Sequence, residues 1–157
     1  IAALQTEYSL MSREPEETLL STCRELGTAF VAYSPLGIGL LTGTVTNADD
    51  LPPGNRLARQ SRMDAQNLGR NLAVVERLRE LAAEAGCSMA QLALAWVLAR
   101  GVAAIPGSAR IEHLRENLRA RDIELSAALL SRIDAAAPPG AFAGERKSTL
   151  GLRLVGR

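Results

Sequence analysis

Lysine and histidine are almost missing from this chain. Seventeen of its 18 basic residues are arginine, Lys147 is the single lysine, and His113 is the single histidine. Chemistry that needs a lysine in the core, or a lysine working with a histidine, therefore has no residues to run on here. Aromatic residues make up 3%, with Tyr8 and Tyr33 the only tyrosines. Two cysteines, Cys23 and Cys87, stand far apart in no metal or redox spacing. They read as reduced, buried thiols of a cytoplasmic protein, and no metal site is expected. No apolar run approaches the length of a membrane span, and no signal peptide is visible. Nor is there an excess of one charge: 18 basic against 17 acidic residues leave a net charge of +1. That excludes a global pull toward nucleic acid or an anionic membrane.

What the chain does have is apolar mass. Hydrophobic residues make up 47% of 157, enough to bury the core of one ordinary domain. The first residue is Ile1, which predicts a chain that begins inside a longer protein.

The patterning is strand, helix, strand. Ile1 to Leu4 reads as a buried strand already under way. Ser12 and the acidic Glu14, Glu16 and Glu17 mark a helix start, with Pro15 tolerated in the first turn. Leu19, Leu20, Cys23 and Leu26 form its apolar stripe, and Gly27 stops it. Ala29 to Tyr33 is a second buried strand. Ser34 to Gly69 is a long irregular stretch, functional or disordered by its length. Helical periodicity returns at Leu72, Val75, Leu78 and Leu81. Ser88 and Gln91 form a capping box for the next helix, which ends near Gly101. Val102 to Ile105 is a third strand, followed by helices over about 111–119 and from Ser126 to about Ala136. The tail from Ala141 reads as extended or loose. Three parallel-type strands, each followed by helical material, predict an α/β fold, and three strands alone leave two bare apolar edges.

In parallel α/β folds, active groups sit at the C-terminal ends of strands. Three places qualify here. After the first strand, Gln5 and Glu7 lie on one face, as a ligand-facing pair or as a buried hydrogen-bonded pair. After the second, Tyr33 offers a flat ring to a flat ligand or is a rim aromatic. Gly37-Ile38-Gly39 is too short for a dinucleotide fingerprint. After the third, Gly107-Ser108 feeds a helix N-terminus, where free N–H groups and Arg110 suit a phosphate. The alternative there is that Ser108 caps the helix and Arg110 is solvated. His113 reads as a surface or packing residue. Arg56, Arg59, Arg62 and Arg70 make the long loop basic, and by default solvated.

Several stretches carry a resemblance when taken in order. They are Ala3-Leu4-Gln5-Thr6-Glu7-Tyr8-Ser9-Leu10, Val31-Ala32-Tyr33-Ser34-Pro35-Leu36-Gly37 and Leu40-Leu41-Thr42-Gly43. Gln91 to Leu98, Ile105-Pro106-Gly107-Ser108 and Glu116-Asn117-Leu118 follow. The chain resembles the C-terminal half of the aldo-keto reductases, from Ile1 to about Arg146, with 147–157 as a tail. The resemblance implies part of a (β/α)₈ TIM barrel, its strands six to eight, and an NADPH cofactor. It implies that Gln5 holds the nicotinamide carboxamide and Tyr33 stacks on the ring. Ser34, Pro35, Leu36, Gly37, Gly39 and Leu41 would meet the pyrophosphate side. Gly107, Ser108 and Arg110 would meet the 2′-phosphate, and Glu116 and Asn117 the adenine. Many members carry Arg or Lys where Ile38 and Ala109 stand here.

The family's tyrosine proton donor and its Lys, Asp and His partners would lie upstream of Ile1, so no catalytic residue is assigned in this chain. The implied substrate of the complete protein is a small carbonyl compound. The implied partner is an N-terminal barrel half, or self-association across the open edges. The alternatives are an inactive half-barrel that binds nucleotide or assembles with another half, or a gene remnant.

Overall fold

A computed structural model describes residues 1–51, 54 and 57–145. The expectations for Pro52, Pro53, Arg56 and everything from Arg146 onward, Lys147 and the 147–157 tail included, lie outside the described residues. The chain forms one parallel sheet in the order β1 (Ala3–Glu7), β2 (Ala29–Tyr33), β3 (Ala103–Ile105). Gln5 pairs with Val31, Glu7 with Tyr33, and Tyr33 with Ile105. Side chains alternate along a strand, and register partners share a face. Leu4, Phe30, Ala32 and Ala104 therefore face the helices and join the core. Ala3, Gln5, Val31, Ala103 and Ile105 point the other way, and most of them are exposed.

This corrects the reading of the first strand. It starts at Ala3, and Ile1 is fully exposed. Apolar strand runs predict burial on both faces, but only one face of this sheet is covered, and β1 and β3 each have one neighbour.

Among the described residues there are five α-helices: α1 (Leu19–Glu25), α2 (Ala65–Glu84), α3 (Met89–Leu98), α4 (Ile111–Arg119) and α5 (Ala127–Ala136). The first begins later than the acidic cluster suggests. Glu14–Glu16 form a separate 3-10 turn, and the backbone at Thr18 (φ −146°) breaks away before α1. Only Leu20 and Cys23 of the expected stripe are buried, whereas Leu19 and Leu26 are exposed. The stretch 34–64 is not featureless, since 3-10 turns occupy Gly37–Thr42, Ala48–Asp50, Leu57–Arg59 and Ser61–Met63. Helix α2 starts at Ala65, ahead of Leu72: Ala65 and Gln66 are exposed, and Leu68, one turn before Leu72, already packs partly against the core. The capping box of α3 forms as its sequence predicts, with Gln91 N donating to Ser88 Oγ and Ser88 N to Gln91 Oε1. Ser126 caps α5 by accepting from Leu129 N. Residues Leu92 to Val97 of α3 are all buried, so this helix is wrapped on every side. No single helix among the described residues is long and apolar enough to cross a membrane. Cys23 and Cys87 are both free thiols; Cys23 is buried as expected, whereas Cys87 is only half-buried, and that burial pushes its thiol up.

An ionic hub ties the segment after β1 to α3 and α5. Trp96 is completely buried and donates from Nε1 to Asp134 Oδ1 at 3.0 Å. Arg13 and Arg100 lie over its ring at 4.9 and 4.6 Å and both pair with Asp134, at 3.0 and 2.6 Å. Arg13 also grips Glu16, which accepts from the Tyr8 hydroxyl at 2.8 Å. Burial opposes ionisation of Asp134. The hydrogen bonds from Arg100 and Trp96, with the charges of Arg100 and Arg13, outweigh it and hold the carboxyl below its ordinary value.

The chain beyond Gly140 is not loose as far as it is described. Asn71 donates to Ala143 O at 3.0 Å and accepts from Ala143 N at 2.7 Å. Arg70 donates to the carbonyls of Gly140 and Ala141. Glu145 N donates to Ser61 Oγ at 2.7 Å, and Phe142 is buried. Arg62, read from the sequence as solvated, is 4% exposed. It donates to Met11 O at 3.1 Å and to Ser12 Oγ at 3.3 Å. Ser12 in turn donates to the buried Glu7 at 2.9 Å. Buried polar groups need such partners, and only the folded chain brings these together.

Candidate functional site

The C-terminal ends of β2 and β3 open on a cavity of about 370 Å³. Its wall begins where β2 stops. Ser34 has φ 52°, and Gly37, Ile38 and Gly39 follow at φ 56°, 57° and 106°. A β-branched residue in the left-handed region is strained by about 1–3 kcal/mol, so Ile38 is held there by its surroundings. Gly37 N donates to Ser34 O and Gly39 N to Leu36 O, each at 2.9 Å. Leu40 and Leu41 anchor the loop in the core. Gly37 suits this turn through its positive φ, and a Cβ added there would lie 2.8 Å from Met11 Cε, so that side chain would have to shift.

Ser34, Pro35, Leu36, Gly39 and Gly107 line this cavity, as the strand-end reading places them. Ile38, Thr42 and Ile105 line it too. Ile105 ends the third apolar run, a place its position at a strand's C-terminal end marks, and it pairs in register with Tyr33. Thr42 has no such mark, because the turn that aims its Oγ1 at Gly39 O (2.6 Å) has no sequence period. Gly37 and Leu41 are buried behind the wall rather than lining it. Tyr33 is half-buried on the open face of the sheet, beside Glu7 and Ile105 in register. Gln5 is exposed on that face, two residues before Glu7. The two do not form a buried pair, because Glu7 is the buried one and its partner is Ser12.

Ser108 does not cap α4. Its Oγ accepts from Arg110 N at 3.3 Å and donates to Arg110 O at 2.8 Å, closing a small turn. Arg110 is itself the N-cap residue, exposed, with Glu112 at 3.5 Å. Asn117 is buried on the inner side of α4, and Glu116 O accepts from Gln91 Nε2 at 3.2 Å. His113 is exposed. Tyr8 is buried against Phe30 and Trp96, and burial followed by the bond to Glu16 drives its phenol far above the usual range. A phenol so placed has no route to a ligand. Among the described residues no three His, Cys, Asp or Glu side chains gather to hold a metal.

The model of the aldo/keto reductase family matches residues 1–138. The chain belongs to the aldo/keto reductase family. It is 38% identical over 160 residues to aldo-keto reductase str7 of Strobilurus tenacellus, covering 99% of this chain and 48% of that protein. A thermostable aldo-keto reductase crystallised with the inhibitor epalrestat superposes with a TM-score of 0.60 at 32% identity. That match covers 87% of this chain and 40% of the other. The chain thus spans about half the length of the relatives it matches. Its three parallel strands and their helices are an unclosed part of the aldo-keto reductase barrel.

Proposed function

We propose that this chain is the dinucleotide-holding part of an aldo-keto reductase that reduces aldehydes or ketones with NADPH. The observation that supports this reading is the cavity at the ends of β2 and β3, walled by a strained left-handed loop. Left-handed backbone and the small Gly39 and Gly107 let a ligand approach the main chain closely. When bound, a reduced nicotinamide supplies a hydride to a carbonyl carbon. The residues of this chain bind and orient. Gln5 and Tyr33, on the open face, would hold the nicotinamide end. Ser34, Pro35, Leu36 and Gly39 would take the pyrophosphate, with Gly37 and Leu41 shaping the loop from behind. Gly107, Ser108 and Arg110 would take the 2′-phosphate, and Glu116 and Asn117 the adenine side. No residue of the chain is assigned as the acid that protonates the product oxygen.

Calorimetric titration with NADPH and NADH tests this. Arg110→Ala is expected to weaken NADPH about tenfold, the loss of one charge-assisted contact, and to leave NADH nearly unchanged. Equal weakening of both cofactors would overturn the 2′-phosphate role.

A second observation concerns what covers the open sheet. Helix α4 exposes Ile111, Leu114 and Leu118, spaced as one stripe, and Ile105 of the edge strand β3 is 47% exposed. Ile1, just before the edge strand β1, and Leu26, at the end of α1, are exposed as well. Apolar stripes beside bare edges are the surfaces that further β/α units of one barrel would cover. We therefore propose that the working protein includes the complementary barrel units. Its intact mass from its own cells is expected to be about twice the 16.7 kDa of this chain. A native mass of 16.7 kDa would refute that and leave self-association to cover the edges.

A further inference from the structure

We propose that Glu112 is a specificity-determining residue that lowers the preference of this site for NADPH and lets it accept NADH. The inference rests on the reading of Arg110 as the 2′-phosphate contact. Arg110 stands at the start of α4 between Ala109 and Ile111, so neither adjacent residue of the chain adds a second cation. Ser108 holds both the N–H and the carbonyl of Arg110, fixing where its side chain leaves the backbone. Glu112, two residues on, pairs with that guanidinium at Nε–Oε2 3.5 Å, and both side chains are largely exposed.

A 2′-phosphate brought to Arg110 meets this carboxylate in two ways. The phosphate and Glu112 compete for one guanidinium, and they repel one another as like charges a few ångström apart. A ligand with a 2′-hydroxyl meets neither cost. A carboxylate beside a ribose is instead a hydrogen-bond acceptor for its hydroxyls. The same side chain therefore weakens one cofactor and favours the other. Glu112 is exposed at the start of α4 and its ion pair is with Arg110, so its substitution leaves the core in place.

Calorimetry on the chain with two small probes tests this, adenosine 2′,5′-bisphosphate and adenosine 5′-monophosphate. Glu112→Gln is expected to tighten the bisphosphate about three- to tenfold at low salt, the effect of removing one exposed like charge. It should not tighten the monophosphate. In the Arg110→Ala background the gain should shrink to the part that direct repulsion supplies, since no guanidinium is left to compete for. A bisphosphate affinity unmoved by Glu112→Gln, or both probes tightened equally, would overturn the role of Glu112 while the site reading stands. If neither probe binds the unaltered chain, the site reading itself fails and Glu112 falls with it.

Discussion

Trp96→Ala is expected to destabilise the chain by about 3–5 kcal/mol, the range for removing a large buried aromatic side chain. The loss has three sources. The indole fills a fully buried volume against Tyr8, with ring centroids 5.4 Å apart. Its N–H satisfies Asp134 at 3.0 Å. Its ring carries Arg13 and Arg100 at 4.9 and 4.6 Å, whose charges would then lie against a cavity. Trp96→Phe separates these terms, because it keeps a ring but removes the donor. It should cost clearly less, with the lost hydrogen bond contributing about 1 kcal/mol. Urea denaturation of the three forms reads the difference. If the phenylalanine form is as unstable as the alanine form, the hydrogen bond to Asp134 dominates over packing.

Arg62→Met should be comparably damaging, at about 3–5 kcal/mol, the range for removing one partner of a buried charged network. Arg62 holds Met11 O and Ser12 Oγ, and Ser12 holds the buried carboxylate of Glu7. The methionine fills similar volume but leaves that network without its cation. Glu7→Gln in the same background removes the buried negative charge and should recover part of the loss. Thermal unfolding of the two single variants and the double variant measures this coupling. Additive losses would show that Glu7 and Arg62 do not act through Ser12 as one unit.

The contrast between these two sites shows how far a linear reading reaches. Strand β2 falls on the residues its apolar run marks out, and α3 starts at its Ser88–Gln91 box, because both signals are local. The strand-end residues Ser34, Leu36, Gly39 and Gly107 meet at one cavity, since parallel strands in register deliver their C-terminal ends to one side. The burial of Arg62 has no local signal, because its partners lie about fifty positions upstream. The anchoring of Ala143 by Asn71 was missed for the same reason, being separated by 72 positions. Thr18 splits the first helix through its backbone, which no apolar stripe records.

Local patterns were enough for the α/β alternation, the parallel strands, the caps of α3 and α5 and the ordered motifs of an aldo-keto reductase. Each depends on residues within a turn or two of one another. Tertiary structure alone decided which arginines are buried, which face of the sheet is open, that Ser108 fastens Arg110 rather than capping α4, and that Glu112 reaches Arg110. The burial of a charge is decided by partners that the fold brings near. The path of the chain between its elements is decided by what packs against them.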